Sequence, residues 1–375
     1  MKEEKLYTDI KKLIEQAKNF VVQNINTTLV FTNYHIGKMI VDDEQHGNER
    51  AKYAEKTLSN LSKKLTKEFG KGYSKSNLEY MRKFFLLCEN RDIWQPGKNK
   101  SVITQSLIGQ SEKTKSSVSQ FSGSPSPLKQ MVTAQSIIAQ FSGLFKLSWT
   151  HYIMLMRIEN EEERNFYEIE TVNNNWSVRE LQRQYNSSLY ERIALSKDKK
   201  KVKELSSKGQ IISQPIDMLK EPYVLEFLGL KEESAYTETE LETALINKLE
   251  HFLLELGKGF LFQSRQQRIS FDGENFYIDL VFYNRILKCF VLIDLKIGEL
   301  KHQDIGQMQM YVNFYDREIK EKDENKTVGI VLCKQTNKAV VEYTLPENNN
   351  QIFAREYKLY LPSKKQLKDL LLEKI

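Results

Sequence analysis

Apolar positions recur at a helical period over the first ~90 residues of the chain. Spacings of three and four residues place one such set on a single helix face: Leu6, Ile10, Leu13, Ile14 and Ala17. Two further helices are separated by a turn at Gly70–Gly72, and Ser76 with Glu79 predicts a capping box for the second of them. This outline fits a DNA-reading helix-turn-helix and, equally, any helical hairpin.

Residues 95–143 depart from this pattern, because they are rich in Ser and Gln and poor in aromatic side chains. Two segments within them resemble each other, Thr104–Ser111 and Ala134–Phe141, but two copies are too few for a repeat architecture. We interpret the stretch as a surface insertion or linker that interrupts the helical region.

A basic helix is predicted after Ser177, which begins a second capping box with Glu180. Arg179, Arg183 and Arg192 follow, so the segment would either lie along a phosphate backbone or present a solvated face. The lysine-rich stretch 196–210 comes next, and it places a domain boundary nearby.

Near residue 235 the hydrophobic pattern changes from one of helices alone to one of helices and strands. An amphipathic helix begins there and ends at Gly257, a suitable C-cap residue. The elements predicted after it are strands 260–270, 275–283 and 289–297, helix 302–316, strands 327–333, 339–343 and one near 356–360, and helix 364–374. We therefore predict a mixed α+β protein. It would have an all-helical N-terminal domain over 1–195, a linker over 196–235 and a C-terminal domain over 236–375 with the order αβββαβ.

Composition limits the number of domains, the type of binding partner and the expected location. The 375 residues suffice for two or three domains, and a hydrophobic content of 40% allows a substantial core. The net charge of +6 and the pI of about 8.8 suit nucleic acid without requiring it. Three scattered cysteines favour a reducing compartment, and the charged N-terminal segment has no apolar targeting pattern, so a cytoplasmic location is expected.

Three charges interrupt the apolar strands of the C-terminal domain. Asp279 lies in the segment FYIDLVFY, and Asp294 and Lys296 end the segment CFVLIDLK. Burying an isolated charge is costly unless the charge is paired or bound to a metal. A connection at Asn284–Leu287 would place Asp294 opposite Tyr277. Asp279 would then lie diagonally across on the same face, ~7–8 Å away between backbones.

Two converging carboxylates repel each other, and a divalent cation with oxygen ligands relieves that repulsion. Mg²⁺ is the natural candidate, since it binds one or two carboxylates and keeps waters and substrate phosphate. Lys296 would orient the attacking water or stabilise charge on the phosphate. The plainer alternative is an ion pair between Asp294 and Lys296 at a sheet end, with Asp279 exposed at a strand terminus.

The combination Asp279…Asp294-Leu295-Lys296 resembles the signature of the PD-(D/E)XK nuclease superfamily, whose core has the same αβββαβ order. The segments LEHFLLELGKGFLFQSRQQRI and NNNWSVRELQRQYNSSLYER are similar, more closely, to the bacterial YhcG-like family, the domain-of-unknown-function 1016 group. The resemblance covers most of the chain apart from residues 95–143. It implies a restriction-endonuclease-like C-terminal domain that follows a helical N-terminal domain.

The resemblance also implies roles by position. Asp279 and Asp294 would be metal ligands, and Lys296 would be the catalytic lysine. The chain departs from the common pattern in two places: Ile278 replaces the nominal proline, and the second acid is Asp where Glu is common. The shorter Asp side chain slightly weakens the metal geometry that the superfamily implies.

Superfamily members usually add a glutamate from the first helix. Glu242 is our choice for this third metal ligand because it follows the register of the apolar stripe, and Glu250 and Glu255 are its rivals. Gln307 precedes Tyr311 by one helical turn, like the glutamine often found after the Asp-x-Lys strand, and is expected at the site. Two further residues are candidates for phosphate contact: Arg265 and Gln266.

We therefore expect a Mg²⁺-dependent endonuclease, with Mn²⁺ as a substitute, that hydrolyses DNA phosphodiester bonds. The N-terminal domain would supply nucleic-acid binding or assembly. Two alternatives stay open: a non-catalytic nucleic-acid-binding or scaffold protein with an inactive nuclease fold, and a nuclease directed at RNA. The sequence has no HExxH, nucleophile elbow or Gly-rich phosphate loop, so ATP-driven action would need a partner. Paired cuts would favour a homodimer, although no heptad repeat supports one.

Overall fold

The computed structural model describes residues 2–46, 51–89, 145–196, 199–230, 236–271 and 273–374. The predicted insertion at 95–143 lies outside the described residues. The chain divides into two compact units, Met1–Arg164 and Asn165–Ile375. The domain boundary that we predicted near residue 195 therefore falls inside the second unit.

The first unit is helical over its described residues. Its helices are α1 (Lys2–His46), α2 (Ala51–Phe69), α3 (Lys75–Glu89) and α4 (Trp149–Leu155), with a 3₁₀ turn at Lys71–Tyr73. Helix α3 approaches α1 at Gly37, where a Cβ would lie 2.0 Å from the carbonyl oxygen of Met81. Helix α3 begins earlier than the predicted capping box of Ser76 and Glu79, since the Asn77 amide donates to the hydroxyl of Ser74 at 3.3 Å.

The second unit places helices on both faces of a sheet. Its helices are α5 (Glu161–Asn174), which contains the division between the units, α6 (Val178–Asn186), α7 (Leu189–Leu195), α8 (Lys199–Lys208), α9 (Glu238–Asn247), α10 (Leu249–Leu256), α11 (His302–Phe314), α12 (Lys338–Thr344) and α13 (Lys364–Lys374). Its strands are β1 (Tyr223–Val224), β2 (Phe260–Phe271), β3 (Glu274–Asn284), β4 (Cys289–Glu299), β5 (Val328–Gln335) and β6 (Ile352–Lys358). Shorter turns lie at Pro215–Met218, Glu226–Leu228 and Tyr315–Ile319.

The strands of this unit form one mixed sheet in the order β1-β6-β5-β4-β3-β2. Strands β2, β3 and β4 are antiparallel, whereas β4, β5, β6 and β1 run parallel. The long apolar run of β4 follows from burial on both faces. Its Ile293 packs in the cluster of Phe252 from α10, and its Leu292 packs in the cluster of Met308 from α11. The predicted αβββαβ core and the mixed α+β class are confirmed.

One predicted strand is wrong, because residues 339–343 lie in helix α12. The side chain of Asn337 accepts a hydrogen bond from the Val340 amide at 3.2 Å and so caps a helix at this point. Val340 and Val341 then pack against the cluster beneath α11, which overrides the strand preference of β-branched residues. The following strand, β6, begins at Ile352 and thus earlier than the strand predicted near 356–360.

The segment 196–235, predicted as a linker, contributes to the core of the second unit. Strand β1 pairs with β6 there, and Leu219 is fully buried. The predicted amphipathic helix is divided at Lys248 into α9 and α10, and it ends at Gly257 with a φ of 103°. Within the described ranges, no helix combines the length and the apolar composition needed to cross a membrane.

Candidate active site

The strands β3 and β4 separate halfway along the sheet. In the described strands, their pairing extends from the turn as far as Leu280 and Ile293. Beyond that point β3 continues against β2, and β4 continues against β5. We call this point the fork, and Asp279 and Asp294 are the next residues on its two sides. The Leu295 amide donates to Oδ2 of Asp279 at 2.8 Å, so a carboxylate binds an amide of the separated strand.

The two aspartates face each other directly, which corrects the diagonal arrangement predicted from a connection at Asn284–Leu287. The turn consists of Arg285–Lys288 instead. Asn284 stays at the end of β3, because its side-chain oxygen accepts from the amides of Ile286 and Leu287 at 3.0 and 3.1 Å. The register therefore moves by two positions, so that Asp279 and Asp294 follow the last paired residues of β3 and β4 on opposite sides of the fork.

A lysine balances part of the charge at the fork. Asp294 is 2% exposed, and its Oδ2 lies 2.7 Å from Nζ of Lys296. Glu238, in the first turn of α9, lies 3.6 Å from the same ammonium. The pKa of Asp294 is raised to about 7, because burial and the charge of Asp279 together outweigh the opposing Lys296 ammonium. Burial lowers the pKa of Lys296, but the Asp294 carboxylate outweighs burial, and the net shift is upward.

Glu242 is connected to the fork through a glutamine. It is 5% exposed on α9, and its Oε2 accepts a hydrogen bond from Nε2 of Gln266 on β2. The same nitrogen donates to Oδ1 of Asp279 at 3.0 Å. Burial raises the pKa of Glu242, the Gln266 hydrogen bond lowers it, and the charge of Asp279 raises it further. Three elements, α9, β2 and β3, thus meet at one amide group.

Gln307 and Tyr311 lie beside the fork and contact its backbone. Nε2 of Gln307 donates to the Tyr311 hydroxyl, which donates in turn to the carbonyl of Tyr277 at 2.9 Å. Tyr277 precedes Asp279 by two residues in β3. Burial raises the pKa of Tyr311, which the Gln307 hydrogen bond opposes. Helix α11 therefore holds the strand segment that carries the first aspartate.

The rival acids of Glu242 lie in other surroundings. Glu250 is exposed, whereas Glu255 is fully buried in an ion pair with Arg192, and Nζ of Lys220 donates to its carbonyl oxygen. Burial alone would raise the pKa of Glu255, but Arg192, Lys220 and Arg183 lower it to about 2. Glu255 is therefore a structural anion of the core.

The same contacts correct the prediction for the basic helix. The capping box of Ser177 and Glu180 is present at the start of α6. Arg192, however, is fully buried against Glu255, and Nη1 of Arg183 lies 3.7 Å from the same carboxylate. These two arginines face the core because they neutralise a buried acid, so they do not lie along a phosphate backbone.

The facing aspartates fit a divalent cation with oxygen ligands. Apart from the ion pair with Lys296, no well-aligned hydrogen-bond donor among the described residues reaches Oδ2 of the buried Asp294. No group of three or more His, Cys, Asp or Glu side chains in the described part of the chain is arranged to hold a metal ion. The predicted set of three ligands is therefore not assembled, because the Gln266 amide lies between Glu242 and Asp279. Mg²⁺ needs only one or two carboxylates when waters complete its shell, so the pair Asp279 and Asp294 suffices.

Two contacts at the fork were not predicted from the sequence. Gln266 was expected to contact phosphate only, and its left-handed φ of 46° has no sequence signal, since Gly or Asn is the usual occupant. Glu238 was overlooked, because nothing in the sequence connects it to Lys296. Its place in the first turn after the capping residue Thr237 is the one local signal that the sequence carries.

Comparisons with known proteins identify the family to which the chain belongs. Residues 216–372 match the family model of the YhcG PDDEXK nuclease domain, and residues 9–107 and 113–192 match the DUF1016 N-terminal domain. The fold and the domain match define a nuclease of the PDDEXK type. The chain is 35% identical over 369 residues, 98% of its length and 92% of the relative's, to an Escherichia coli (strain K12) protein named "Putative nuclease YhcG". The chain belongs to this YhcG family.

Similar solved structures match part of the chain. A repair endonuclease from Pyrococcus abyssi is 20% identical with a TM-score of 0.23, over 34% of this chain and 50% of that chain. The EndoMS–dsDNA2 complex is 19% identical with a TM-score of 0.25, over 35% of this chain and 48% of that chain. The matched region spans about half the length of these solved chains.

Proposed function

We propose that this protein is a metal-dependent endonuclease that hydrolyses DNA phosphodiester bonds at the fork. The observation that carries the proposal is the pair of facing acids, Asp279 and Asp294, with the Lys296 ammonium 2.7 Å from the second. Membership of a family with a PDDEXK nuclease domain supports phosphodiester hydrolysis. The net charge of +6 favours a polyanionic substrate. The helical N-terminal unit would bind nucleic acid or mediate assembly.

The acids and the lysine would have separate tasks. Asp279 and Asp294 would hold Mg²⁺, or Mn²⁺ in its place, with Glu242 as the third acid behind Gln266. When bound, the cation would supply Lewis acidity at the phosphate and lower the pKa of a bound water. Lys296 would keep its positive charge at neutral pH and stabilise the negative charge that develops on the phosphate.

Helix α11 would fix the geometry of the reaction. Gln307 and Tyr311 connect to the Tyr277 carbonyl, two residues before Asp279, and so restrict movement of β3. Productive alignment of reacting groups within a fraction of an ångström accounts for a large share of many catalytic rates. The two side chains would therefore act on the reaction by holding Asp279 in place.

The test is cleavage of supercoiled plasmid by the purified full chain with Mg²⁺, with Mn²⁺ and with EDTA. Asp294→Asn and Lys296→Ala should each lower the nicking rate by about 100-fold or more. Asp323→Asn and Lys322→Ala change the same residue types at exposed positions and should cut at the wild-type rate. Undiminished cleavage by a folded Asp294→Asn variant would exclude the assigned site.

Parallel assays separate the alternatives. Cleavage of RNA without cleavage of DNA would favour the RNA-directed nuclease, and intact binding without any cleavage would favour the scaffold protein. Sedimentation of the chain with and without DNA tests the homodimer that paired cuts would require. A cytoplasmic location belongs to the same proposal, and fractionation of expressing cells measures it.

A further inference from the structure

Gln266 has a backbone conformation that side chains rarely adopt. Its φ is 46°, in the left-handed region, although it lies within strand β2. The pairing of β2 with β3 also shifts by one residue between Phe262 and Ser264, a few positions earlier. Bulges and strained residues of this kind redirect side chains and concentrate at functional sites. The conformation of Gln266 therefore calls for a contact that compensates its cost.

The compensating contact is a pair of charge-assisted hydrogen bonds. The single nitrogen Nε2 of Gln266 donates to Glu242 and, at 3.0 Å, to Asp279. These acids come from a helix and from a strand, and they carry like charges at short range. An amide with two hydrogens can hold both carboxylates at a fixed separation, whereas a carboxylate or an alkyl group in its place cannot.

We propose that Gln266 is a positioning residue that fixes the carboxylate of Glu242 beside Asp279. It would thereby hold the charge of helix α9 beside the fork, where that charge would strengthen cation binding by Asp279 and Asp294. This inference rests on the cation site of the proposed function. It assigns Gln266 a role through two acids, in place of the direct phosphate contact expected from the sequence.

The experiment measures Mn²⁺ binding to the full chain by calorimetry, without substrate. The four proteins are the wild type, Gln266→Gly, Glu242→Ala and the double variant. Glycine is the chosen replacement because it accepts the left-handed φ and so preserves the fold. Gln266→Gly should weaken Mn²⁺ binding by about 10-fold in the wild-type background and should have no further effect in Glu242→Ala. Gln267→Ala, the next residue of the same type, should bind Mn²⁺ like the wild type.

An equal loss of Mn²⁺ affinity in both backgrounds would overturn the inference, since Gln266 would then act independently of Glu242. Unchanged affinity in Gln266→Gly would overturn it as well. If Glu242→Ala fails to fold, Glu242→Gln replaces it in the cycle.

A second readout needs no metal. The same four proteins are unfolded with urea in EDTA, and the two substitutions should be coupled by at least about threefold in the unfolding equilibrium constant. Absence of coupling would overturn the positioning role whatever the metal does. Absence of Mn²⁺ binding to the wild type, with coupling intact, would overturn the cation site of the proposed function and leave the Gln266 contact supported.

Discussion

At the scale of single residues, Glu255 and Asp294 are both buried carboxylates whose neighbours shift their pKa values in opposite directions. Around Glu255 three cations outweigh burial, and the pKa falls to about 2. Around Asp294 burial and the charge of Asp279 outweigh Lys296, and the pKa rises to about 7. A buried acid with a surplus of cations is typical of a structural ion pair, and one beside a like charge is typical of a functional site.

Glu255→Gln should destabilise the protein by about 3–5 kcal/mol, because Arg192 and Lys220 would stay buried without their counter-charge. The pKa of Glu255 is depressed from 4.5 to about 2. Its contribution is therefore complete above about pH 4.5 and is lost as the pH falls toward 2. Urea unfolding at pH 7 and at pH 3 should show a smaller decline in the variant than in the wild type.

The matched control is Glu250→Gln, an exposed substitution on the same helix. It should change the free energy of unfolding by no more than about 0.5 kcal/mol at either pH. Similar free energies of unfolding for the two variants would contradict the structural role of Glu255.

The sequence carries enough information to find Asp279, Asp294 and Lys296, since a charge within an apolar strand is conspicuous. The register of the apolar stripe also favours Glu242 over its rival Glu255. The two glutamates differ in the side chains that they contact in the structure, Gln266 for Glu242 and Arg192 for Glu255. Arg192, the ion-pair partner of Glu255, lies 63 residues away in sequence, and no local sequence pattern indicates it. The contact of Gln266 with Glu242 was missed for the same reason.

At the scale of elements, helix α11 packs closely on strand β5 at Gly329. A Cβ at Gly329 would lie 2.5 Å from Cγ and Sδ of Met308 and 2.9 Å from Cγ2 of Val312. This close approach matters because α11 carries Gln307 and Tyr311 to the fork. Packing of α11 against β5 thus helps to set the position of Gln307 and Tyr311 at the fork.

Gly329→Ala should therefore destabilise the protein by about 1–3 kcal/mol through overpacking. It should also displace α11 and lower the cleavage rate. Thermal unfolding and the plasmid assay measure the two effects. Gly306→Ala is the control within α11, since no atom lies within 4 Å of its added Cβ, and it should stabilise the helix by about 0.5–1 kcal/mol. An unaltered unfolding temperature for Gly329→Ala would refute the tight contact.

Two of the errors in element assignment have local causes. Val340 and Val341 are β-branched and favour a strand, whereas the Asn337 side chain caps the helix α12 that is present. The turn before β4 was misplaced because Asn284 resembles a turn residue, yet it belongs to the strand and accepts the turn amides from there. In both cases hydrogen bonds to one asparagine side chain determine the local backbone conformation, and those hydrogen bonds depend on three-dimensional context.

At the scale of the whole molecule, the structural division at Arg164 and the family match that begins at residue 216 mark different boundaries. The order of elements, αβββαβ, could be predicted because each element has its own period. The boundary predicted near residue 195 lies between the two family matches, which end at 192 and resume at 216. The structural division at Arg164 could not be predicted, because Arg192 belongs by sequence to the helical half and by contact to the nuclease core. Ion pairs between residues far apart in sequence produce no periodic pattern of apolar and polar positions.

A fragment of residues 159–375 should therefore unfold cooperatively, whereas a fragment of residues 197–375 should be less stable by about 3–5 kcal/mol or fail to fold. The shorter fragment lacks Arg183 and Arg192 and leaves Glu255 buried with fewer cations. Circular dichroism during urea unfolding compares the two. Equal midpoints of unfolding would show that helices α6 and α7 are dispensable for the nuclease core.

The hydrogen bond from the Leu295 amide to Asp279 has a further consequence for experiments. This amide proton is hydrogen-bonded to the Asp279 carboxylate, and the charge distribution of that carboxylate would change if a ligand bound to it. Its nitrogen–proton resonance in a magnetic resonance spectrum should therefore move on ligand engagement, while amides deeper in the β4–β5 ladder stay in place. The chain thus carries an internal spectroscopic probe one covalent bond from Asp294, and occupancy of the fork can be followed without any chemical tag or turnover.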